Sequence, residues 1–343
     1  MNRSESSGSP DPCTTPYLWV CGTDAKGTPR SRQDPTGSMG SSVRGEVYAL
    51  RILEENIRRA TLEELPSKTR EAIDEETMRQ IYIPARTSRL REGFRHVRNE
   101  MLRFIEEQPE RTFSATEKKT LRARLKAVKL ELPPDDPYRD EPELYTRNDA
   151  FYERLQSGRT RLRIGGAYLH SSKSWFNLVF TLSHELAHAI DPCELRAIPI
   201  GISAYDRLTA CFLATGVVAS RAVRSECGEN DQLAEAFSDW LALRITSRAL
   251  RSYSREFSPT ELRAAAANAV VDLCDEEDSP EEHDDLLHPA PRIRIDRIFG
   301  RNPEIREILG CSSRPSNPPP SIPPHSQRPD PPFCDFDWKP SAD

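Results

Sequence analysis

Apolar residues recur at helical spacing through most of this chain. From Val43 to about Glu131 they alternate with Arg, Lys and Glu in threes and fours, which predicts a helical N-terminal region. Thr61-Leu-Glu-Glu64 and Ser114-Ala-Thr-Glu117 have the form of capping boxes that open helices, and Arg89–Glu107 and Thr116–Leu130 carry amphipathic patterns. Pro133-Pro-Asp-Asp-Pro137 reads as a turn or linker. In Thr160–Leu169 the residues Leu162, Ile164, Tyr168 and Leu169 predict a short strand broken by Gly165-Gly166, where another backbone would approach closely; a plain hairpin fits the same residues. Trp175, Phe176, Val179, Phe180, Leu182 and Leu186 predict a buried helix, capped by Ser174 and ended at Asp191-Pro192. Further helices follow over Ala204–Arg221, after a cap at Asn230 or Asp231, from the Ser258-Pro-Thr-Glu261 capping box to about Leu273, and, after the His288–Ile295 stretch, through Leu309.

Composition adds the ends and the compartment. Residues 1–43 are rich in Ser, Gly, Pro and Thr and read as a disordered tail or a remnant leader, and residues 312–343, rich in Pro, as a disordered or loosely attached tail; they flank a helical region at 44–134 and a further domain at 135–311. The fold class expected is α+β, mainly helical, with a small edge sheet. The 343 residues carry 36% hydrophobic residues and a net charge of −6, enough for a substantial core and too acidic for a global nucleic-acid footprint. The arginines Arg89, Arg91, Arg95 and Arg98 are interleaved with acids, so they read as a solvated face, and His96 beside them as a surface residue. No apolar run approaches a membrane span, so no transmembrane segment is expected, and no apolar signal region opens the chain. Eight dispersed cysteines without a C-x-x-C pair argue against a cysteine zinc site and for disulfides, with buried free thiols as the alternative. The six that follow the buried helix (Cys193, Cys211, Cys227, Cys274, Cys311 and Cys334) allow 15 pairings, none singled out. This usage points to an extracytoplasmic compartment, although no signal peptide is visible. The acidic run Asp275–Asp285 reads as an exposed loop without the ligand spacing of an EF-hand.

The chemistry concentrates in Thr181–Asp191. His184 and His188 lie four residues apart, so on a helix both imidazoles share a face and can grip one tetrahedral zinc. Glu185 stands beside the first of them, where a carboxylate can act as general base toward zinc-activated water. Glu235 and Asp239 share a face of the later helix, among Phe237, Trp240, Leu241 and Ile245. An unpaired carboxylate is costly on a helix packed on several sides, and a metal would remove that cost; an amphipathic helix with surface acids is the plainer reading. His170 is near enough to the helix to keep in view, whereas His283 and His325 show no role.

His184-Glu185-x-x-His188 followed by Glu235-x-x-Ser238-Asp239 resembles the gluzincin zinc metallopeptidases. His288-Pro-x-x-x-x-Arg294-Ile295 is similar to the signature of their CAAX-prenyl-protease and heat-shock-peptidase type. The resemblance covers roughly residues 145 to 310. It implies a zincin-like domain and one Zn²⁺ per chain on His184, His188 and Glu235, with Asp239 orienting a ligand imidazole. It also implies that His288 and Arg294 face the active site, where His288 aided by Arg294 would stabilise the oxyanion, and that a peptide or protein substrate lies along an edge strand at Gly165, Gly166 and Ala167. Ser238 stands where that type usually has Ala. The membrane-embedded members' transmembrane helices have no counterpart, so prenylated substrates are not implied. The expected function is a zinc-dependent metalloendopeptidase. The alternatives are a zincin-fold binding or regulatory module that cleaves nothing, and a cytosolic DNA- or regulator-linked zincin whose N-terminal helices bind a partner and whose cysteines are reduced.

Overall fold

The structure, a computed structural model, describes residues 10–22, 41–62, 70–133, 135, 141–170, 174–196, 202–218, 232–275, 288–311 and 333–339. The expected cap at Asn230 or Asp231, Cys227, His283, His325 and the acidic run beyond Asp275 lie outside them. The described chain is mostly helical with a small three-stranded sheet. Its elements are α1 (Pro16–Cys21), α2 (Ser41–Leu62), α3 (Arg70–Ile81), α4 (Pro84–Glu107), α5 (Ala115–Ala127), β1 (Lys129–Leu130), β2 (Ala150–Arg154), β3 (Thr160–Ile164) and α6 (Gly166–His170). There follow α7 (Trp175–Ala187), α8 (Pro192–Arg196), α9 (Ser203–Ala214), α10 (Gln232–Ser252), α11 (Pro259–Val270), α12 (Pro291–Ile293) and α13 (Pro303–Leu309). α12 runs on into a wider π-helical turn, Arg294–Phe299.

Helix α7 is the central element. The Ser174 side chain accepts from the Asn177 N–H at 3.1 Å, and eleven of the helix's thirteen residues are buried, as a helix apolar on all sides must be. α10 packs along it, with α4 and α11 on other faces and β2 near its C-terminal end. The chain then tightens through His188–Ile190 and leaves the helix at Asp191, the residue that precedes Pro192.

Several elements differ from the pattern-based expectation. Thr61 lies in the last turn of α2, and Glu63 and Glu64 of its expected capping box lie outside the described residues, whereas Ser114–Glu117 and Ser258–Glu261 form both halves of theirs. The helix expected over Ala204–Arg221 ends at Ala214, because the chain turns through Gly216 at φ 66°. The strand expected over Thr160–Leu169 stops at Ile164, and Gly165, Gly166 and Ala167 lead into α6. The glycines do mark a close approach, but within the chain: a Cβ on Gly165 or Gly166 would collide with the backbone carbonyls of Arg147 or Tyr145.

β3 is therefore the middle strand, parallel to β1 and antiparallel to β2, with Tyr152 opposite Leu162. Gly165 N–H bonds Asp149 O and Leu155 N–H bonds Arg159 O, so odd-numbered residues of this stretch face β3. The backbone groups of Ala150, Tyr152 and Arg154 consequently face the open edge. That edge borders α7.

The expected tails also need correction. Residues 10–22 are tied down by Cys13–Cys311 and Cys21–Cys274, with Tyr17 buried and its N–H bonded to Asp296 Oδ1 at 2.9 Å. Residues 333–339 are held by Cys211–Cys334, and Phe336 packs among Phe104, Phe113, Tyr205 and Trp240. Trp240 Nε1 donates to Cys334 O at 2.8 Å. Cys193 is disulfide-bonded as well. Two of these bonds use Cys13 and Cys21, which lie in the segment read as a tail. One buried apolar cluster runs from Tyr17 to Phe336 and crosses the boundary expected at residue 134. Among the described residues no helix is long and apolar enough to cross a membrane.

Candidate metal centre

The packing of α10 on the end of α7 brings three donors together. His184 Nε2 lies 3.0 Å from Glu235 Oε2 and 3.3 Å from His188 Nε2, and His188 Nε2 lies 3.6 Å from Glu235 Oε1. A tetrahedral metal with ligand bonds of about 2.0–2.1 Å holds its donors roughly 3.3 Å apart, so the spacing fits an ion at their centre. Glu235 Oε2 is buried and has no partner in hydrogen-bond geometry, although imidazole nitrogens stand within 3.0 Å. A carboxylate oxygen aimed at a shared point rather than along an N–H is what coordination requires. Among the described residues this is the group of His, Cys, Asp or Glu side chains that could hold a metal ion.

Each histidine is gripped at its far nitrogen. His184 Nδ1 lies 3.0 Å from Asp239 Oδ1, and Asp239 is 1% exposed. Arg294, which begins the π-helical turn, closes on that carboxylate with both Nε–Oδ2 at 2.6 Å and Nη2–Oδ1 at 2.9 Å. Arg294 also lines the cleft, and its guanidinium is engaged there by the Asp239 carboxylate behind the ligand. His188 Nδ1 lies 3.3 Å from Asp191 Oδ2 and 3.2 Å from Ser238 Oγ. The hydroxyl at position 238, where the resembling type carries Ala, therefore touches the site.

Glu185 projects beside the ligands toward β2, where its Oε2 accepts the Tyr152 N–H at 2.8 Å. The Tyr152 ring stacks near that of His188, centroids 6.4 Å apart. His288 Nε2 lies 2.9 Å from Glu235 Oε2, its ring is stacked 6.2 Å from that of His184, and the side chain is half-buried. These groups share a cleft of about 820 Å³ with Asn148–Tyr152 of the β2 edge on one side and Ala269, Val270 and Leu273 on another. Gly165, Gly166 and Ala167 do not line it, whereas Tyr168 does. His170 is also outside it, and His96 is half-buried against Trp175 rather than on the surface.

Proton affinities follow from this crowding. Burial pulls the His184 pKa down, but Asp239 and Glu235 outweigh it and push the group up to about 10. His188 is raised as well: burial opposes the shift, while Glu235 and Asp191 drive it. Glu235 and Asp239 are held low in spite of burial, the first by the histidines and the second by Arg294 and His184. Glu185 moves the other way, because burial raises its carboxyl more than His184 and His188 lower it. Without an ion, this donor set retains protons that a cation would displace.

The sequence reading missed Asp191 as a partner of His188, treating it only as a helix terminator. A carboxylate three residues past a ligand histidine was the available signal. Tyr152 had none, because its approach to Glu185 depends on how β2 docks on α7. No protein-family model matches this chain, and no curated protein matches it either.

Proposed function

We propose that this protein is a zinc-dependent metalloendopeptidase of gluzincin type. The observation that carries the reading is the convergence of His184, His188 and Glu235 at coordination spacing, with Glu185 at the same cleft. A His₂Glu set is the donor chemistry of catalytic zinc and leaves one position open. When bound, zinc supplies Lewis acidity and lowers the pKa of water at that position.

The chain's own residues supply the rest. Glu185, its carboxyl raised by burial, takes the proton of the attacking water and passes it to the leaving nitrogen. The Tyr152 N–H fixes the rotation of that carboxylate. Along the outward edge of β2 the Tyr152 N–H is taken by Glu185 and the Ala150 N–H by Asp149 Oδ1, so an extended peptide would pair there through the outward carbonyls of Ala150, Tyr152 and Arg154, which favours a peptide substrate over a small ester. His288 reaches the same cleft and can donate to an oxyanion once released from Glu235. Asp239, with Arg294 behind it, holds the His184 ring. The disulfides suit an extracytoplasmic setting for this activity.

The test is metal analysis together with cleavage of an unfolded protein. We expect one zinc per chain, hydrolysis abolished by a chelator and restored by added zinc. Stoichiometric zinc without cleavage of any broad peptide pool would replace this reading with a metal-holding binding module.

A further inference from the structure

Asp191 uses its two carboxylate oxygens on different parts of the molecule. Oδ1 accepts the N–H groups of Cys193 and Glu194, each at 2.7 Å, and so caps the start of α8. Oδ2 lies 3.3 Å from His188 Nδ1. The residue is 4% exposed. The helix it caps is itself fixed: Glu194 is bonded by Arg124 from α5 and by Arg154 from β2, and Cys193 is disulfide-bonded. Cys193 and Glu194 also line the cleft.

We infer that Asp191 is the positioning residue of His188, and that through it the second imidazole of the metal site is tied to the α8 wall of the cleft. The inference rests on the reading of His184, His188 and Glu235 as a metal site. An imidazole that presents the Nε2 lone pair to a metal carries its proton on Nδ1 and must donate it. The Asp239 carboxylate is taken by His184 and Arg294. Ser238 Oγ is in reach, but a hydroxyl donates as readily as it accepts and cannot select the tautomer. A carboxylate accepts only, so Asp191 does select it. The site then has one carboxylate per imidazole, Asp239 for His184 and Asp191 for His188. The second pair is anchored to α8 rather than to α10, so displacement of α8 turns the His188 ring.

Asp191→Asn separates the two roles, because Asn caps a helix as well as Asp but carries no charge for the imidazole. The readouts are zinc affinity by chelator competition, the visible absorption of the Co²⁺-loaded protein, and the thermal midpoint of the metal-free protein. We expect Asp191→Asn to weaken zinc about 10- to 100-fold and to alter the Co²⁺ spectrum, with the metal-free midpoint near wild type. Asp191→Ala should lower both affinity and midpoint. Zinc affinity of Asp191→Asn within about twofold of wild type, with an unchanged Co²⁺ spectrum, would reduce Asp191 to a helix cap and overturn the inference. A wild-type protein that takes up neither zinc nor cobalt would overturn it together with the metal site. Peptide cleavage is not among the readouts. A protein that holds zinc and cleaves nothing would therefore end the peptidase reading while this comparison still decides the role of Asp191.

Discussion

Arg294 and Asp239 form a bidentate ion pair with both side chains buried, and the same carboxylate holds His184. The pair joins the π-helical turn to α10 directly behind the metal ligands. Removing one member leaves the other charged and dry, which costs about 3–5 kcal/mol for such a pair. Arg294→Met should therefore unfold at markedly lower denaturant and bind zinc more weakly. An oxyanion-facing arginine would behave differently, losing turnover with stability intact, so denaturant midpoints read beside kcat separate the two roles.

Glu235→Ala and Glu185→Gln should fail in opposite ways. The first removes a donor at coordination distance from both histidines and should lose stoichiometric zinc. The second keeps the donor set and the Tyr152 contact region but cannot accept a proton, so zinc and fold should persist while hydrolysis drops roughly 10²- to 10⁴-fold. Zinc retained in Glu235→Ala would mean that the third ligand lies elsewhere.

His288→Ala should retain zinc and lower kcat about a hundredfold, with KM little changed, if the ring donates to the oxyanion. Its Nε2 stands 2.9 Å from Glu235 Oε2, so it is close enough to act and is no member of the three-donor group. Weaker zinc binding at unchanged turnover would instead make it a buttress for Glu235.

The site and the fold were legible to different degrees, for physical reasons. His184 and His188 share a turn, and Glu235 and Asp239 share another, so helical period alone exposes both pairs. Periodicity also exposes the burial of α7. It does not expose which strand lies at the edge, because that depends on pairing register: Gly165-Gly166 looked like a strand interruption and is a tight packing point against Tyr145 and Arg147. Nor does composition reveal that Pro10–Gly22 is fixed. Its residues are those of a flexible tail, and partners distant in sequence, Cys274, Cys311, Asp296 and Arg306 among them, hold it.

That N-terminal segment makes its own prediction. Cys21–Cys274 and Cys13–Cys311 bolt it across the cleft-wall residues after α11 and the end of α13. Replacing Cys21 and Cys274 by Ser should reduce stability by about 2–4 kcal/mol in denaturant titrations. Because Asp272 and Leu273 of the cleft adjoin Cys274, KM should also rise. Unchanged stability would mean that the segment adds little beyond its contacts.

The last prediction concerns His170, at the end of α6 and away from the cleft wall. Its ring lies 4.1 Å from the Tyr48 ring, centroid to centroid, and its Nε2 is 3.3 Å from Arg86 Nη1. A guanidinium can only donate, so Nε2 accepts and the ring is neutral. Burial, with the Arg86 charge adding to it, pulls the pKa down to about 4, against about 6.5 in the unfolded chain. Between those values the unfolded chain binds the extra proton. The contribution of His170 is therefore complete above about pH 6.5 and is lost as the pH falls toward 4. His170→Gln keeps an acceptor for Arg86 and cannot titrate. Urea midpoints measured at pH 7, 5.5 and 4.5 should fall less steeply for His170→Gln than for the wild type. Parallel curves would show that His170 is protonated at no cost in the folded protein, and that Arg86 turns away to let it happen.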